Sequence, residues 1–233
     1  MDDPRCCEAL GIFLKLIMNT KLIIFDFDGT LGDTRHNIVM TMQQTISEMG
    51  LPARSEGECA ATIGLPLKGC FQQLFPEMDD SMMEKSAATY RRLFDENKKL
   101  FKPALFPNVS ETLSSLHNRG IVMAIASLRS SRSLHEFVDD MSLTEYISYI
   151  VGADDVSRPK PDAEPVIKIL EALHFSPEET IVVGDMPVDI LMGRNAGTYT
   201  CGVTYGNASR EELQHANAHH IIDNFPLLID ILL

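Results

Sequence analysis

The sequence lacks the features that mark several classes of protein. It has no tryptophan, and its five cysteines are scattered over 233 residues without a Cys-x-x-Cys pair. Dispersed cysteines in odd number argue against a disulfide framework or a zinc site and favour a reducing compartment. We therefore expect a cytoplasmic protein whose cysteines are small buried hydrophobic residues.

Basic residues are also in short supply, with 20 lysines and arginines against 33 acidic residues and a formal net charge of −13. Nucleic acids and anionic membranes both bind basic faces, so neither is expected as a partner. No apolar run approaches the roughly 18–20 residues of a transmembrane helix. The apolar content of 45% is ordinary for a soluble globular protein and leaves the oligomeric state open.

The first 17 residues do not fit the pattern of the rest. The segment Ala9–Met18 is apolar, but acidic residues precede it, Lys15 interrupts it and it lacks a small-residue cleavage pattern. A signal peptide is therefore a poor interpretation. A domain that starts near Met18 fits better, and we interpret residues 1–17 as an upstream extension.

Short apolar runs rich in β-branched residues recur along the chain, and they are nearly continuous rather than alternating. This pattern is typical of strands that are covered on both faces, and it predicts a parallel sheet. Segments with helical spacing separate the runs, which indicates a doubly wound α/β fold. The runs are Leu22–Phe25, Ile121–Ala126, Thr180–Val183 and Thr198–Val203, with a weaker one at Tyr146–Val151.

One interval, residues 36–103, breaks the alternation because it has helical patterns and no convincing strand. It follows the first strand directly, so it would lie over the carboxyl ends of the strands, where open α/β sheets bind their ligands. We interpret residues 36–103 as an all-helical cap that closes like a lid over an α/β core made of residues 18–35 and 104–233.

The stretch Lys21–Thr34, "KLIIFDFDGTLGDT", ends a buried strand in two aspartates. Asp26 and Asp28 are two positions apart, and such side chains point to the same side of an extended chain. Two close carboxylates resist ionisation unless a cation is present, and Mg²⁺ prefers oxygen ligands of this kind. Gly29 allows a sharp turn beside them, and Thr30 offers a hydroxyl and an amide to an anion.

Later parts of the chain supply complementary groups. Asp185 follows the strand of "TIVVGDMPVDI" and would reach the metal, while Asp189, one helical turn further, would bind through water or orient its neighbours. Ser127 ends the run "IVMAIAS", and Lys160 lies between two prolines in "SRPKPD". We expect these groups to meet at the edge of the sheet where the first aspartates lie.

Such a site fits phosphoryl transfer. Mg²⁺ and Lys160 would neutralise the transferring group, and Ser127 with loop amides would hold its oxygens. Asp26 could then form an aspartyl phosphate, while Asp28 protonates the leaving oxygen and later deprotonates the attacking water. Each residue alone has a structural explanation, such as a helix cap or a loop position, but the set in this order favours catalysis.

In order, intervals and helical insertion, these residues resemble the four motifs of the haloacid dehalogenase superfamily, and the phosphoglycolate phosphatase and β-phosphoglucomutase branch is the most similar. The resemblance implies a Rossmann-like core with a helical cap. It also implies a metal held by the Asp26 and Asp185 carboxylates and the backbone carbonyl of Asp28. The matching residues are Asp26, Asp28, Gly29, Thr30, Ser127, Lys160, Gly184, Asp185 and Asp189.

Two segments bear on the substrate. Many relatives have Ser/Thr-Asn-Lys at the second motif, where this chain has Ser127-Leu128-Arg129. The asparagine is thus missing, and Arg129 becomes a candidate substrate contact. The segment Thr62–Cys70, "TIGLPLKGC", resembles the substrate-facing loop of relatives. Its candidate contacts are Gly64, Leu65 and Lys68.

The residue at position 28 distinguishes reactions within the superfamily. Dehalogenases have a non-acidic residue there because a halide leaves without a proton, whereas an alkoxide that leaves from phosphate needs one. Asp28 therefore favours a phosphatase of a small phosphomonoester, with phosphoglycolate as the first candidate. A β-phosphoglucomutase-like phosphomutase and an inorganic pyrophosphatase use the same groups and stay as alternatives. An inactive protein that binds a phosphorylated metabolite is an alternative of a different class.

Overall fold

The computed structural model describes residues 20–232, and the predicted extension at residues 1–17 lies outside them. Internal packing divides this part of the chain into two compact units. One consists of residues 20–31 and 105–232, and the other of residues 32–104.

The strands belong to one large sheet and one small sheet. In chain order they are β1 (Leu22–Phe25), β2 (Gly32–Asp33), β3 (Ala104–Leu105), β4 (Val122–Ala126), β5 (Ile147–Val151), β6 (Thr180–Gly184), β7 (Tyr199–Val203) and β8 (His220–Ile222). The large sheet is parallel and has the order β5-β4-β1-β6-β7-β8, whereas β2 and β3 pair with each other. The chain thus extends the sheet on one side of β1 and then on the other, which confirms the predicted doubly wound fold.

The central strands are continuous apolar runs because both of their faces are covered. Successive side chains of a strand point to opposite faces, and all four residues of β1 are fully buried. Burying one such aliphatic side chain contributes roughly 1.5–3 kcal/mol, so a polar residue within β1 would destabilise the whole core.

The helices in chain order are α1 (Arg35–Glu48), α2 (Glu56–Ala60), α3 (Leu67–Leu74), α4 (Asp80–Leu100), α5 (Val109–Asn118), α6 (Ser131–Asp140), α7 (Glu164–Leu173), α8 (Pro187–Asn195), α9 (Arg210–His215) and α10 (Leu227–Leu232). In the first unit, α7 and α8 pack against one face of the sheet through apolar residues such as Ile169 and Met192. Among the helices between residues 20 and 232, none combines the length and the apolarity that a membrane crossing requires.

The second unit is built by α1 to α4, and residues 36–103, all of them described, contain no strand. Its core is a separate apolar cluster that includes Val39 and Met42 of α1 and Phe71 of α3. Helix α2 begins with a capping box, in which the Ser55 and Glu58 side chains bond each other's backbone amides. Met42 of α1 therefore lies in the core of this unit.

The sequence pattern did not indicate β8, and His219 lies in the bend just before it. His220 begins β8, and the ring nitrogen Nδ1 of His219 accepts the backbone N–H of Thr200 at 3.1 Å. A strand of three residues with histidine at its start gives too short an apolar run to be recognised.

Candidate active site

The first two aspartates directly follow the central strand. The backbone N–H of Asp26 donates to the carbonyl oxygen of Val183 at 2.8 Å, so pairing with β6 continues one residue beyond β1. Gly29 then has a φ of 90°, in the left-handed region that favours glycine. A Cβ atom at Gly29 would also lie 2.3 Å from Asp185 Oδ2. Both the turn and the close approach of Asp185 therefore require glycine at this position.

Ser127 and Asp185 follow the two strands that flank β1. The backbone N–H of Ser127 donates to Val151 at 3.0 Å, which extends the pairing of β4 with β5. Asp185 comes directly after β6 and is fully buried. Because the three strands are parallel, Asp26, Ser127 and Asp185 lie at the same edge of the sheet.

Lys160 reaches this edge from the loop between β5 and α7. Its Nζ atom donates to Asp26 Oδ1 and to Asp189 Oδ1, both at 2.6 Å, and its side chain is only 2% exposed. Burial lowers the pKa of Lys160, but the Asp189 and Asp26 carboxylates outweigh it and hold that pKa above its ordinary value. The lysine is therefore charged and fixes both carboxylates.

Asp189 has a second role, in the first turn of α8. Its Oδ2 atom accepts the backbone N–H of Met186 at 3.0 Å, which satisfies one of the free amides at a helix start. Asp189 therefore caps the start of α8 with one carboxylate oxygen and contacts Lys160 with the other.

Asp26, Asp185 and Asp189 form a buried acidic cluster in which one carboxylate oxygen from each lies within 4.8 Å of the others. Burial raises the pKa of Asp26 well above its usual range, although Lys160 opposes this effect. Burial, and next the charge of Asp189, raise the pKa of Asp185 to about 7. Ionising all three groups beside the single ammonium of Lys160 would leave an excess of buried negative charge, and oxygen ligands of this kind suit a hard divalent cation that would offset it.

Sequence reasoning missed a loop after β7 that holds Asp185. The backbone N–H and the side-chain Nδ2 of Asn207 both donate to Asp185 Oδ2 at 2.8 Å. A Cβ atom at Gly206 would lie 2.3 Å from the Asp185 Cβ, so this glycine lets the loop approach. Thr30 donates its hydroxyl to the other oxygen, Oδ1, at 3.3 Å. A Gly-Asn pair just after a predicted strand was the available signal.

Asp28 is held differently, by Arg129. The guanidinium donates from Nε to Asp28 Oδ2 at 2.9 Å and from Nη2 to Asp28 Oδ1 at 2.6 Å. The backbone N–H of Arg129 also donates to Ser127 Oγ at 3.3 Å. The structure thus brings the predicted site residues of the first unit to one edge of the sheet.

Comparison with known proteins decides the family. A sequence profile of haloacid dehalogenase-like hydrolases matches residues 23–203. The chain belongs to this family. The resemblance inferred from the four motifs is thereby confirmed, as is the expectation of a hydrolase.

The relatives of this hydrolase carry the names of more than one kind of enzyme. A pyrophosphatase PpaX from Halalkalibacterium halodurans is 32% identical, over 92% of this chain and 97% of its own. A phosphoglycolate phosphatase from Vibrio cholerae is 30% identical, over 91% of this chain and 97% of its own. A solved haloacid dehalogenase-like hydrolase from Streptococcus pneumoniae matches with a TM-score of 0.78 at 23% identity, over 90% of this chain and 96% of its own, which supports the fold.

The remaining predicted substrate contacts lie in the second unit of the chain. Gly64 has a φ of 94°, Leu65 is 36% exposed, and Lys68 pairs with Glu84. Their contact with a substrate stays a prediction.

Proposed function

We propose that the protein is a Mg²⁺-dependent phosphatase that hydrolyses a small phosphomonoester through an aspartyl phosphate on Asp26. The observation that carries this proposal is the buried cluster of Asp26, Asp185 and Asp189 around Lys160, beside Ser127 and Asp28. Because the chain carries a net charge of −13, an anionic substrate needs local positive charge at this edge of the sheet, and a bound cation and Lys160 would supply it.

The proposed ligands of the ion are the carboxylates of Asp26 and Asp185 and the backbone carbonyl of Asp28, with Asp189 acting through water. When bound, the ion offsets the excess carboxylate charge and withdraws charge from the phosphoryl oxygens. The donor set fits this purpose because every side-chain ligand is a carboxylate and all three are buried.

The protein groups divide the remaining work. Lys160 fixes one Asp26 oxygen and thereby orients the carboxylate that attacks phosphorus. Ser127 Oγ accepts a hydrogen bond from the backbone N–H of Arg129, so the hydroxyl hydrogen of Ser127 is left to donate to a phosphoryl oxygen. Asp28 donates a proton to the leaving oxygen and then accepts one from the attacking water.

Phosphoglycolate is the first candidate substrate. Inorganic pyrophosphate is kept as the second candidate, because a relative named pyrophosphatase and a relative named phosphoglycolate phosphatase are about equally similar to this chain. The substrate-specific contacts are proposed to come from the helical unit, which would act as a cap and close over the bound ester. Gly64, Leu65 and Lys68 are the residues proposed to make them. A cytoplasmic location is part of the same proposal.

The direct test is hydrolysis of p-nitrophenyl phosphate with Mg²⁺ and with excess EDTA. We expect turnover that requires Mg²⁺ and vanishes in EDTA, with the Asp26→Asn variant as the inactive control. Turnover no higher than that control would favour a phosphometabolite-binding protein instead. For an active enzyme, kcat/KM on phosphoglycolate, hexose phosphates and pyrophosphate would then identify the substrate class.

A second prediction concerns Asn207. Removing the group that orients a metal ligand typically weakens metal affinity by about 10–100-fold. Asn207→Ala should therefore raise the Mg²⁺ concentration for half-maximal activity by that factor, with little change in activity at saturating Mg²⁺. Asn118→Ala, at the exposed end of α5, is the matched control. An unchanged Mg²⁺ titration in Asn207→Ala would show that Asp185 does not depend on this contact.

A further inference from the structure

Arg129 grips both oxygens of Asp28 with two parallel hydrogen bonds. The two bonds, at 2.9 and 2.6 Å, make the fork-to-carboxylate arrangement that arginine forms and lysine cannot. Both side chains are mostly buried, with 11% of Arg129 and 17% of Asp28 exposed. A pair shielded from water in this way fixes the plane of the carboxyl group more firmly than a surface ion pair would.

Arg129 is itself fixed by side chains of α6. Its guanidinium carbon lies 4.9 Å from the ring centroid of Phe137, and Nη1 lies 3.4 Å from Ser133 Oγ. The Phe137 ring also packs against Phe27, with 5.1 Å between centroids. The same aromatic side chain therefore supports both Arg129 and the residue just before Asp28.

We propose that Arg129 is a positioning residue, which acts on catalysis by holding the Asp28 carboxyl group toward the leaving and attacking oxygens. This inference rests on the proposed phosphatase function. It replaces substrate contact as the role of Arg129, because the guanidinium fork is already engaged by Asp28.

Asp28 serves two steps, and they can be separated kinetically. In the first, a bond forms between Asp26 and phosphorus, the bond from phosphorus to the ester oxygen breaks, and that oxygen takes the proton of the Asp28 carboxyl group. In the second, water attacks phosphorus, the bond to Asp26 breaks, and Asp28 takes back a proton from the water. The value of kcat/KM reports only the first step, whereas kcat also reports the second.

The test compares phenyl phosphate with p-nitrophenyl phosphate, two esters of similar shape whose leaving groups differ in their need for a proton. In Arg129→Ala we expect kcat/KM to fall by about 10²-fold on phenyl phosphate, in the range of general acid catalysis. On p-nitrophenyl phosphate it should fall by about fivefold or less, since p-nitrophenolate leaves without a proton. With that second ester kcat should still fall, and a burst of p-nitrophenolate should precede slow turnover.

Three variants complete the design. Asp28→Asn should show the same dependence on the leaving group, because it removes the acid itself. Arg129→Lys keeps the charge without the fork and should lose about tenfold or more on phenyl phosphate. Arg132→Ala, an exposed arginine of α6 that pairs with Glu136, should behave like the wild type.

Several outcomes would overturn the proposal. Equal losses on both esters in Arg129→Ala would mean that Arg129 binds the phosphoryl group or only supports the fold. Higher activity than wild type would mean that it restrains Asp28 in an inactive position. Full activity of Arg129→Lys on phenyl phosphate would mean that charge alone suffices. Failure of the phosphatase proposal can be distinguished from failure of the Arg129 proposal. In the first case the wild type itself would hydrolyse neither ester faster than Asp26→Asn does.

Discussion

Replacing Asp26 by asparagine is expected to lower kcat/KM by at least about 10⁴-fold on every phosphate ester that the wild type hydrolyses, the scale on which hydrolases lose activity with their nucleophile. An amide oxygen cannot form the acyl phosphate that a carboxylate forms. The fold should survive, because asparagine has nearly the same shape and Lys160 keeps its contact with Asp189 at 2.6 Å. The loss should therefore appear with no decrease in melting temperature.

A rapid acid quench of enzyme mixed with labelled substrate checks this directly. The wild type should retain label on the protein during turnover, and Asp26→Asn should retain none. Asp140→Asn, at the exposed end of α6, removes the same charge away from the site and should match the wild type. Activity of Asp26→Asn within about tenfold of wild type would mean that another group, or water itself, attacks phosphorus.

The fold was predictable from the sequence where the physical pattern is long. Strands buried on both faces need continuous apolar runs, so the five predicted strands β1, β4, β5, β6 and β7 were found within a residue of their observed ends. Helices α2, α9 and α10 were not predicted, because each has only five or six residues and is too short for helical periodicity to be visible. Strand β8 was missed for the same reason.

The candidate site was predictable as a set of positions but not as a set of contacts. Parallel strands place the residues that follow them at one edge of the sheet, so Asp26, Ser127 and Asp185 could be grouped from the sequence alone. The partners of these residues depend on loop geometry. Arg129 is 101 positions from Asp28, and Asn207 is 22 from Asp185. Only the three-dimensional course of the chain brings each pair together.

Replacing Asp185 by asparagine is expected to stabilise the metal-free protein at pH 8 while it weakens or abolishes Mg²⁺-dependent activity. Burial, and next the charge of Asp189, raise the pKa of Asp185 from its ordinary value of 3.8 to about 7. A difference of about three pKa units corresponds to roughly 4 kcal/mol. Asparagine can still accept both Asn207 hydrogen bonds through its amide oxygen, so the exchange removes the buried charge and keeps these contacts.

The pH dependence follows from the direction of the pKa change. The folded protein binds the Asp185 proton more tightly than the unfolded chain, so ionisation of this group opposes folding. Without metal, its unfavourable contribution is absent below about pH 4, grows as the pH rises toward 7, and is complete above 7. The stability difference between Asp185→Asn and wild type should therefore be small near pH 4 and reach up to roughly 4 kcal/mol at pH 8.

Urea unfolding of the wild type, Asp185→Asn and Asp140→Asn, each in EDTA at the two pH values, measures this difference. Addition of Mg²⁺ at pH 8 should then stabilise the wild type by about 2.7 kcal/mol at a hundred times its dissociation constant, and Asp185→Asn by much less. The difference in unfolding free energy between Asp185→Asn and wild type should therefore be smaller in Mg²⁺ than in EDTA, because the ion compensates the same buried charge that the substitution removes. If Asp185→Asn were no more stable than wild type in EDTA at pH 8, the carboxylate would already be compensated by the protein, and the case for a metal at this position would fail.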